Sequence, residues 1–142
     1  MRTFRARSQR GLAAVEASLV LPLLLFTVFG IFEFGTAYYR QQVLTGAVRE
    51  AARMATVASD PRPSTSQIQQ KVLTYLSDVG WDSSKASVTV TGAQGSSGDP
   101  LTVQASYPTS LALVSALAPK KNITTDGDGN ISLTARVVME IE

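Results

Sequence analysis

A single carboxylate, Glu16, stands in an apolar stretch of helical length, and this setting restricts its chemistry. Residues 17–32 carry no charge, and residues 12–32 are long enough to cross a hydrocarbon core of about 30 Å at roughly 1.5 Å per residue. A charged side chain at mid-membrane costs about 2.5–3.5 kcal/mol on insertion scales, and less near the interface. Glu16 therefore indicates a cationic partner inside the membrane, with solvation at the cytoplasmic headgroups as the alternative.

A basic leader precedes the apolar stretch and orients it. Residues 1–11 hold four arginines and no acid, whereas only Arg40 lies close to the other end of the span. By the positive-inside bias, the N-terminus stays in the cytoplasm and residues after Tyr39 lie outside. A secretory signal peptide starts in the same way, but its apolar core is typically about 7–15 residues and ends at a small-residue site. We therefore expect a single-pass protein of the cytoplasmic (inner) membrane with its C-terminal domain outside.

Catalytic and metal-binding chemistry has few residues available to it. The chain contains neither cysteine nor histidine, and its acids are scattered. Disulfides, thiolate metal sites, cysteine nucleophiles and Ser-His triads are thereby excluded. Without the four leader arginines, nine basic residues (13 − 4) face eleven acids, a side-chain charge of −2, which disfavours nucleic-acid binding. We expect no enzymatic activity, no cofactor, no metal and no nucleic acid.

Three sequence motifs together resemble a known family. They are GLAAVEASLVLPLLL, FGIFEFGTAYY and QQVLTGAVREAARMA, and they cover Arg10 to about Ala58. As a set they closely resemble the TadE-like minor pilins, or pseudopilins, of the tight-adherence (Tad) pilus, with the class III signal peptide of type IV pilins. The sequence departs from the family at Ala17, where pilins of this group usually have Phe or Tyr after the acid.

The resemblance implies a processing site and an assembly contact. A prepilin peptidase is expected to cut between Gly11 and Leu12 on the cytoplasmic face, where glycine permits close approach to the backbone. Glu16 would then be the fifth residue and would pair with the new terminal amine of a neighbouring subunit. The implied partners are the prepilin peptidase, other pilin or pseudopilin subunits, the Tad secretion and assembly platform, and the lipid membrane. After assembly, the pilus outside the cell is a second expected location.

We predict four segments along the chain. They are a leader at 1–11, a transmembrane helix at 12–39, a continuing amphipathic helix at 40–59, and an α+β extracytoplasmic head at 60–142. Pro22 removes a helical hydrogen bond and predicts a kink in the span. Glu33 lies beside an aromatic belt at the outer interface, which indicates a water-accessible acid, with an intersubunit contact as the alternative.

The amphipathic helix is predicted to present a small-residue face. Its members recur at spacings of three and four residues: Val43, Ala47, Ala51, Met54 and Ala58. Such a face favours packing against another helix, and binding to a membrane surface is the alternative. The segment from Asp60 to Pro63 is predicted to end the helix.

One helix and three antiparallel strands are predicted for the head, giving the α+β class. Ser64-x-x-Gln67 is a capping-box pattern that starts a helix, and Gly80 ends it before Trp81. The residues expected on the buried side of this helix are Ile68, Val72, Leu76 and Val79. Period-two patterns predict strands around residues 88–90, 101–107 and 133–141, of which the first two form a hairpin.

Three further segments of the head are interpreted as connections. Residues 108–119 are predicted to be a linker containing a turn of helix. Asp126 to Asn130 fits a turn better than a calcium loop, because the sixth and twelfth positions hold Ile131 and Val137. Asn122-Ile123-Thr124 fits a glycosylation sequon, a pattern that often arises by chance.

Together these features predict a structural subunit that helps to initiate, prime or terminate a Tad-type pilus. Two alternatives stay open. One is an uncleaved single-span protein whose extracytoplasmic domain binds a partner. The other is a domain released by ordinary signal peptidase.

Overall fold

The computed structural model describes residues 4–57, 61–111 and 131–142, with side chains from Gly11 onward. Its elements are α1 (Phe4–Thr56), α2 (Thr65–Asp78), a 3-10 helix (Ser83–Lys85), β1 (Ser87–Thr91), β2 (Pro100–Thr109) and β3 (Ile131–Glu140). The predicted class is confirmed: a long N-terminal helix is followed by a short helix and a small antiparallel sheet. The chain divides into two compact units, Met1–Gly35 and Thr36–Glu142.

The first unit is an apolar stretch of helix with no core around it. Its large apolar side chains from Leu12 to Phe34 are exposed, and α1 is long and apolar enough to cross a membrane. The hydroxyls of this stretch bond to the helix itself: Ser18 Oγ donates to the Val15 carbonyl at 2.7 Å, and Thr27 Oγ1 to the Leu23 carbonyl at 2.9 Å. These bonds lower the cost of placing the hydroxyls in hydrocarbon, where no water is available.

In the second unit, the C-terminal part of α1 belongs to the core of the head. Its buried apolar residues are Leu44, Ala47, Val48, Ala51, Ala52 and Ala55. They form one cluster with Ile68, Val72 and Leu76 of α2 and with Leu101 and Val103 of β2. Of the predicted face, Ala47 and Ala51 are buried in this cluster, Val43 and Met54 are half-buried and pack against it, and Ala58 lies outside the described residues. The small residues allow α1 to pack closely on its own head.

Both ends of α2 follow the predicted capping chemistry. Ser64 Oγ accepts from the Gln67 N–H at 3.4 Å, and Gln67 Oε1 accepts from the Ser64 N–H at 2.8 Å. At the other end, the Trp81 N–H donates to the Leu76 carbonyl and the Gly80 N–H to the Ser77 carbonyl, both at 2.9 Å. This is a Schellman cap with Gly80 at φ +80°.

One residue predicted to be buried by α2 is exposed. Ile68, Val72 and Leu76 are fully buried, whereas Val79 is 40 % exposed. Val79 is the C-cap, with φ −88° and ψ 10°, so the chain leaves the helical path there and its side chain leaves the buried face. Trp81, just beyond, packs instead on Tyr107, with ring centroids 4.6 Å apart and ring planes at 47°.

The sheet is antiparallel throughout, in the order β1-β2-β3, and the predicted hairpin of β1 and β2 is confirmed. Val103, in the middle of β2, pairs with Val90 on one side and Val137 on the other. The prediction that a connection begins at Pro108 was wrong, because β2 continues to Thr109. Pro108 is tolerated because β1 pairing ends at Ser87 opposite Ser106, so β2 has an open side beyond that point.

The remaining connections predicted for the head fall largely on residues that are not described. Residues 112–119, the sequon at 122–124 and the loop at 126–130 all lie outside the described residues, as do residues 58–60 before α2.

The C-terminal segment 131–142, which contains β3, runs in the same direction as the C-terminal part of α1 and is joined to it by two hydrogen bonds. Gln41 Nε2 donates to the Thr134 carbonyl at 2.9 Å, and the Glu142 N–H donates to the Thr56 carbonyl at 3.1 Å. Near the first of these bonds, Arg40 Nη1 donates to Thr109 Oγ1 at 2.6 Å. These bonds fix the C-terminal part of α1, from Arg40 to Thr56, to the sheet.

Candidate processing and assembly site

The four residues singled out from the sequence, Gly11, Leu12, Glu16 and Pro22, all lie on α1. The Gly11–Leu12 bond is inside the helix, which begins at Phe4. A Cβ placed on Gly11 would meet no atom within 4 Å, and Leu12 is 72 % exposed. Gly11 and Leu12 are therefore exposed among the described residues, while the bond between them lies within helical backbone.

Glu16 lies one helical turn beyond Leu12. Four residues correspond to about 6 Å along the axis, and helical side chains lean toward the N-terminus. The Glu16 carboxylate is thus directed toward the turn that carries Leu12. Its side chain is exposed and forms no salt bridge with another described side chain. The structure therefore places this acid near the predicted new N-terminus and leaves it available to a group from outside the described chain.

Pro22 lies in the middle of the apolar stretch, where it removes one backbone donor. The side chains around it are exposed leucines, including Leu21, Leu23 and Leu24. A contiguous apolar surface of this extent is unusual on a soluble monomer and is typical of lipid or protein contact. The kink at Pro22 stays a prediction.

The C-terminal end of the stretch carries aromatic side chains. Phe34, Tyr38 and Tyr39 are exposed, and Glu33 among them is half-buried. Amphipathic rings of this kind prefer the level of the lipid headgroups. This marks residues 34–39 as the part of α1 that fits a membrane interface.

Residues 11–53 match the model of the TadE-like protein family. We call residues 11–53 the TadE-like segment, because these residues resemble that family. The predicted resemblance is thereby confirmed for these residues, and neither the curated proteins nor the solved structures that were compared gave a match.

The TadE-like segment begins at Gly11 and ends three residues before the end of α1. It therefore includes the candidate processing bond, Glu16 and the whole apolar stretch, together with the part of α1 that packs in the head core. The single apolar helix near the N-terminus fits a single-pass membrane protein.

The C-terminal part of the TadE-like segment also carries a charged groove that sequence reasoning missed. The groove is lined by Gly46, Arg49, Glu50, Arg53, Lys71 and Tyr75, with Met139 of β3 as a further apolar contact. Arg49 and Arg53 share a helix face because they are four residues apart, which the sequence does reveal. Lys71 and Tyr75 come from α2, and nothing in the local pattern indicated that these two helices would meet there.

A metal centre has no support within the described residues. No group of three or more His, Cys, Asp or Glu side chains that could hold an ion occurs among them. The exposed carboxylate of Asp82 does have a lowered pKa, because it accepts hydrogen bonds from the Ser84 hydroxyl and N–H and lies 3.5 Å from Lys85 Nζ. This arrangement caps the 3-10 helix at Ser83–Lys85 and is structural.

Proposed function

We propose that this chain is a structural minor pilin or pseudopilin, cleaved by prepilin peptidase after Gly11, that takes part in assembling or initiating a Tad-type pilus. The observation that carries the proposal is the TadE-like match at residues 11–53. It coincides with a helix whose apolar surface is exposed and whose acid lies one turn beyond the Gly11–Leu12 bond.

Cleavage would change the electrostatics of the helix end. Hydrolysis of the Gly11–Leu12 bond removes a leader with four arginines and gives Leu12 a free ammonium group. A lone carboxylate in hydrocarbon is costly, and an opposite charge within about 4–6 Å favours its ionised form. In the proposed mechanism, the ammonium of one subunit supplies that charge to Glu16 of its neighbour.

The same pairing would make assembly directional. Each subunit carries one donor at Leu12 and one acceptor at Glu16, so contacts between successive subunits run head-to-tail. A contact of that kind generates an open helical array when its rotation does not close. The exposed apolar side chains of residues 12–34 would supply the packing between neighbouring helices.

Orientation follows from the charges in the proposal. The arginine-rich leader stays in the cytoplasm, where prepilin peptidase acts, and the unit that starts at Thr36 lies outside. The proposed partners are therefore the peptidase at the inner face, other pilin or pseudopilin helices within the membrane, and the Tad assembly platform.

Terminal sequencing of protein extracted from membranes tests the proposal. We expect the mature chain to begin at Leu12, and Gly11→Val to leave the leader attached because a branched side chain blocks access to the bond. Gly35→Val is the matched control and should be processed normally, since a Cβ placed on Gly35 would also meet no atom within 4 Å.

The two alternatives give different termini. A wild-type chain that still begins at Met1 in cells with an active peptidase contradicts the proposal and supports an uncleaved membrane-anchored protein. A soluble product that begins near Tyr38 supports release by signal peptidase.

A further inference from the structure

The groove between the outer part of α1 and α2 concentrates positive charge. Arg49 and Arg53 from α1 and Lys71 from α2 line it, with Glu50 between them. Glu50 Oε2 lies 3.5 Å from Arg53 Nε, and its Oε1 lies 4.0 Å from Lys71 Nζ. Three cations and one acid leave a formal charge of +2 in this groove.

The cations of the groove keep donors available. Arg49 is exposed and makes no hydrogen bond or salt bridge with another described residue. The Arg53 side chain is 70 % exposed and meets Glu50 through Nε, so its two terminal nitrogens have no partner among the described side chains. A guanidinium in this state can bind a carboxylate through two parallel hydrogen bonds.

The floor of the groove adds a neutral donor. The Tyr75 side chain crosses α1 at Gly46, where an added Cβ would lie 3.2 Å from Tyr75 Oη. The Tyr75 hydroxyl makes no hydrogen bond with another described residue. Because Gly46 has no side chain, the hydroxyl lies in the same groove as Arg49 and Lys71.

This positive groove stands out against the rest of the chain. Beyond the leader, side-chain charges sum to −2, from nine basic and eleven acidic residues. A region at +2 on such a chain is a local property and cannot come from overall charge. Complementary charge across an interface mainly sets specificity and association rate, which suits recognition of one acidic partner.

An anionic lipid surface is the less favourable occupant. Arg49 lies ten residues beyond Tyr39 and Arg53 fourteen, or about 15 and 21 Å along the helix axis. The Debye length at physiological ionic strength is about 8 Å. Headgroups at the level of the aromatic belt would therefore be largely screened from these side chains.

We infer that the groove between α1 and α2 binds acidic side chains of a neighbouring protein subunit, with Arg49, Arg53 and Lys71 as the cationic contacts and Tyr75 as a neutral donor. This contact lies outside the membrane-spanning stretch. It does not depend on cleavage after Gly11, so this inference and the proposed pilus function can be tested separately.

The test uses the full chain in neutral phosphatidylcholine nanodiscs, with the four leader arginines replaced by glutamine so that the leader adds no positive charge. The probe is fluorescein-labelled hexaglutamate at low salt, read by fluorescence anisotropy. We expect Arg49→Gln combined with Arg53→Gln to weaken binding at least about tenfold, because two charge-assisted contacts are lost. Labelled hexalysine should not bind.

A double variant of equal charge change serves as the control. Lys85 and Arg136 are exposed and lie outside the groove, so Lys85→Gln with Arg136→Gln should alter binding less than about twofold. The fluorescence of Trp81 checks that each variant is folded.

Three outcomes would overturn the inference. The parent protein fails to bind hexaglutamate, or both double variants weaken binding equally. In the third outcome, the protein binds vesicles of phosphatidylserine and phosphatidylcholine and this binding requires Arg49 and Arg53, whereas its binding of hexaglutamate does not require them. That result identifies lipid as the occupant.

Discussion

Gly46 of α1 and Tyr75 of α2 meet where these two helices cross, and the glycine provides the space that the phenol occupies. A Cβ at position 46 would lie 3.2 Å from Tyr75 Oη and 3.8 Å from Cζ. The packing of α2 on α1 thus depends on a residue that has no side chain.

We predict that Gly46→Leu destabilises the head by about 1–3 kcal/mol, because overpacking forces the two helices apart. Gly46→Ala should change the free energy of unfolding little, since the gain of about 1 kcal/mol in helix propensity offsets a contact that a small tilt of Tyr75 relieves. Thermal unfolding of the detergent-solubilised chain, followed by Trp81 fluorescence, measures both. Adding Tyr75→Ala to Gly46→Leu should recover part of the loss, and strictly additive effects would contradict this explanation.

Gly92 and Gly98 form a matched pair for separating steric overlap from backbone strain. Both have positive φ, +83° and +88°, but only Gly92 faces another backbone atom, the carbonyl oxygen of Pro100. Gly98→Ala should cost about 1–2 kcal/mol, the usual cost of a left-handed conformation. Gly92→Ala should cost clearly more, because the new methyl group would overlap that oxygen. Equal unfolding midpoints for the two variants would show that the hairpin turn adjusts freely.

The capping box of α2 should contribute measurably to stability. Ser64→Ala removes the acceptor for the Gln67 N–H and is expected to cost about 1 kcal/mol. Ser77→Ala, in the last turn of the same helix, removes an exposed hydroxyl that bonds to no described residue, so its free energy of unfolding should stay within about 0.5 kcal/mol of wild type. Urea unfolding of both variants gives the comparison, and a loss at Ser77 as large as that at Ser64 would contradict the capping role.

Asp82 should titrate below its ordinary pKa in the folded chain. The Ser84 hydroxyl is the largest cause, followed by the Ser84 N–H, while Lys85 contributes less. Because the folded pKa is depressed, the stabilisation is present above the unfolded pKa and disappears as the pH falls through the folded value. Ser84→Ala should raise the Asp82 pKa, as followed by carboxyl NMR signals, whereas Ser83→Ala should leave it unchanged. If the Asp82 pKa is the same in Ser84→Ala as in the wild-type chain, the Ser84 hydroxyl is not the cause of the lowered pKa.

Glu16 is predicted to act in assembly and not in insertion. Glu16→Gln removes the charge but keeps the size, so the protein should still reach the membrane fraction. Pilus counts by electron microscopy should fall by at least about tenfold, because an ammonium left in hydrocarbon without its partner is costly. Glu16→Asp keeps the charge and should retain part of the activity. Normal piliation with Glu16→Gln would remove the proposed role of this acid.

The sequence predicted those parts of the fold that depend on local chemistry. The ends of α2 were predicted from the capping residues Ser64 and Gly80, and β2 and β3 were predicted from their alternating residues. In each case the pattern involves only residues a few positions apart. The buried side of α1 was harder to predict, because alanines fit a buried or an exposed helix face and only tertiary contact with Ile68 and Val72 separates the two. The groove at Arg49 and Lys71 could not be predicted, since it depends on how α1 and α2 cross.

The bonds from Gln41 to Thr134 and from Glu142 to Thr56 have a mechanical consequence. Tension transmitted lengthwise through the C-terminal part of α1 is shared with the segment 131–142 at these two hydrogen bonds. Because this segment runs alongside the helix, a force along the helix axis loads the two hydrogen bonds in shear. Both bonds then bear the force at the same time, and they are not broken one after the other.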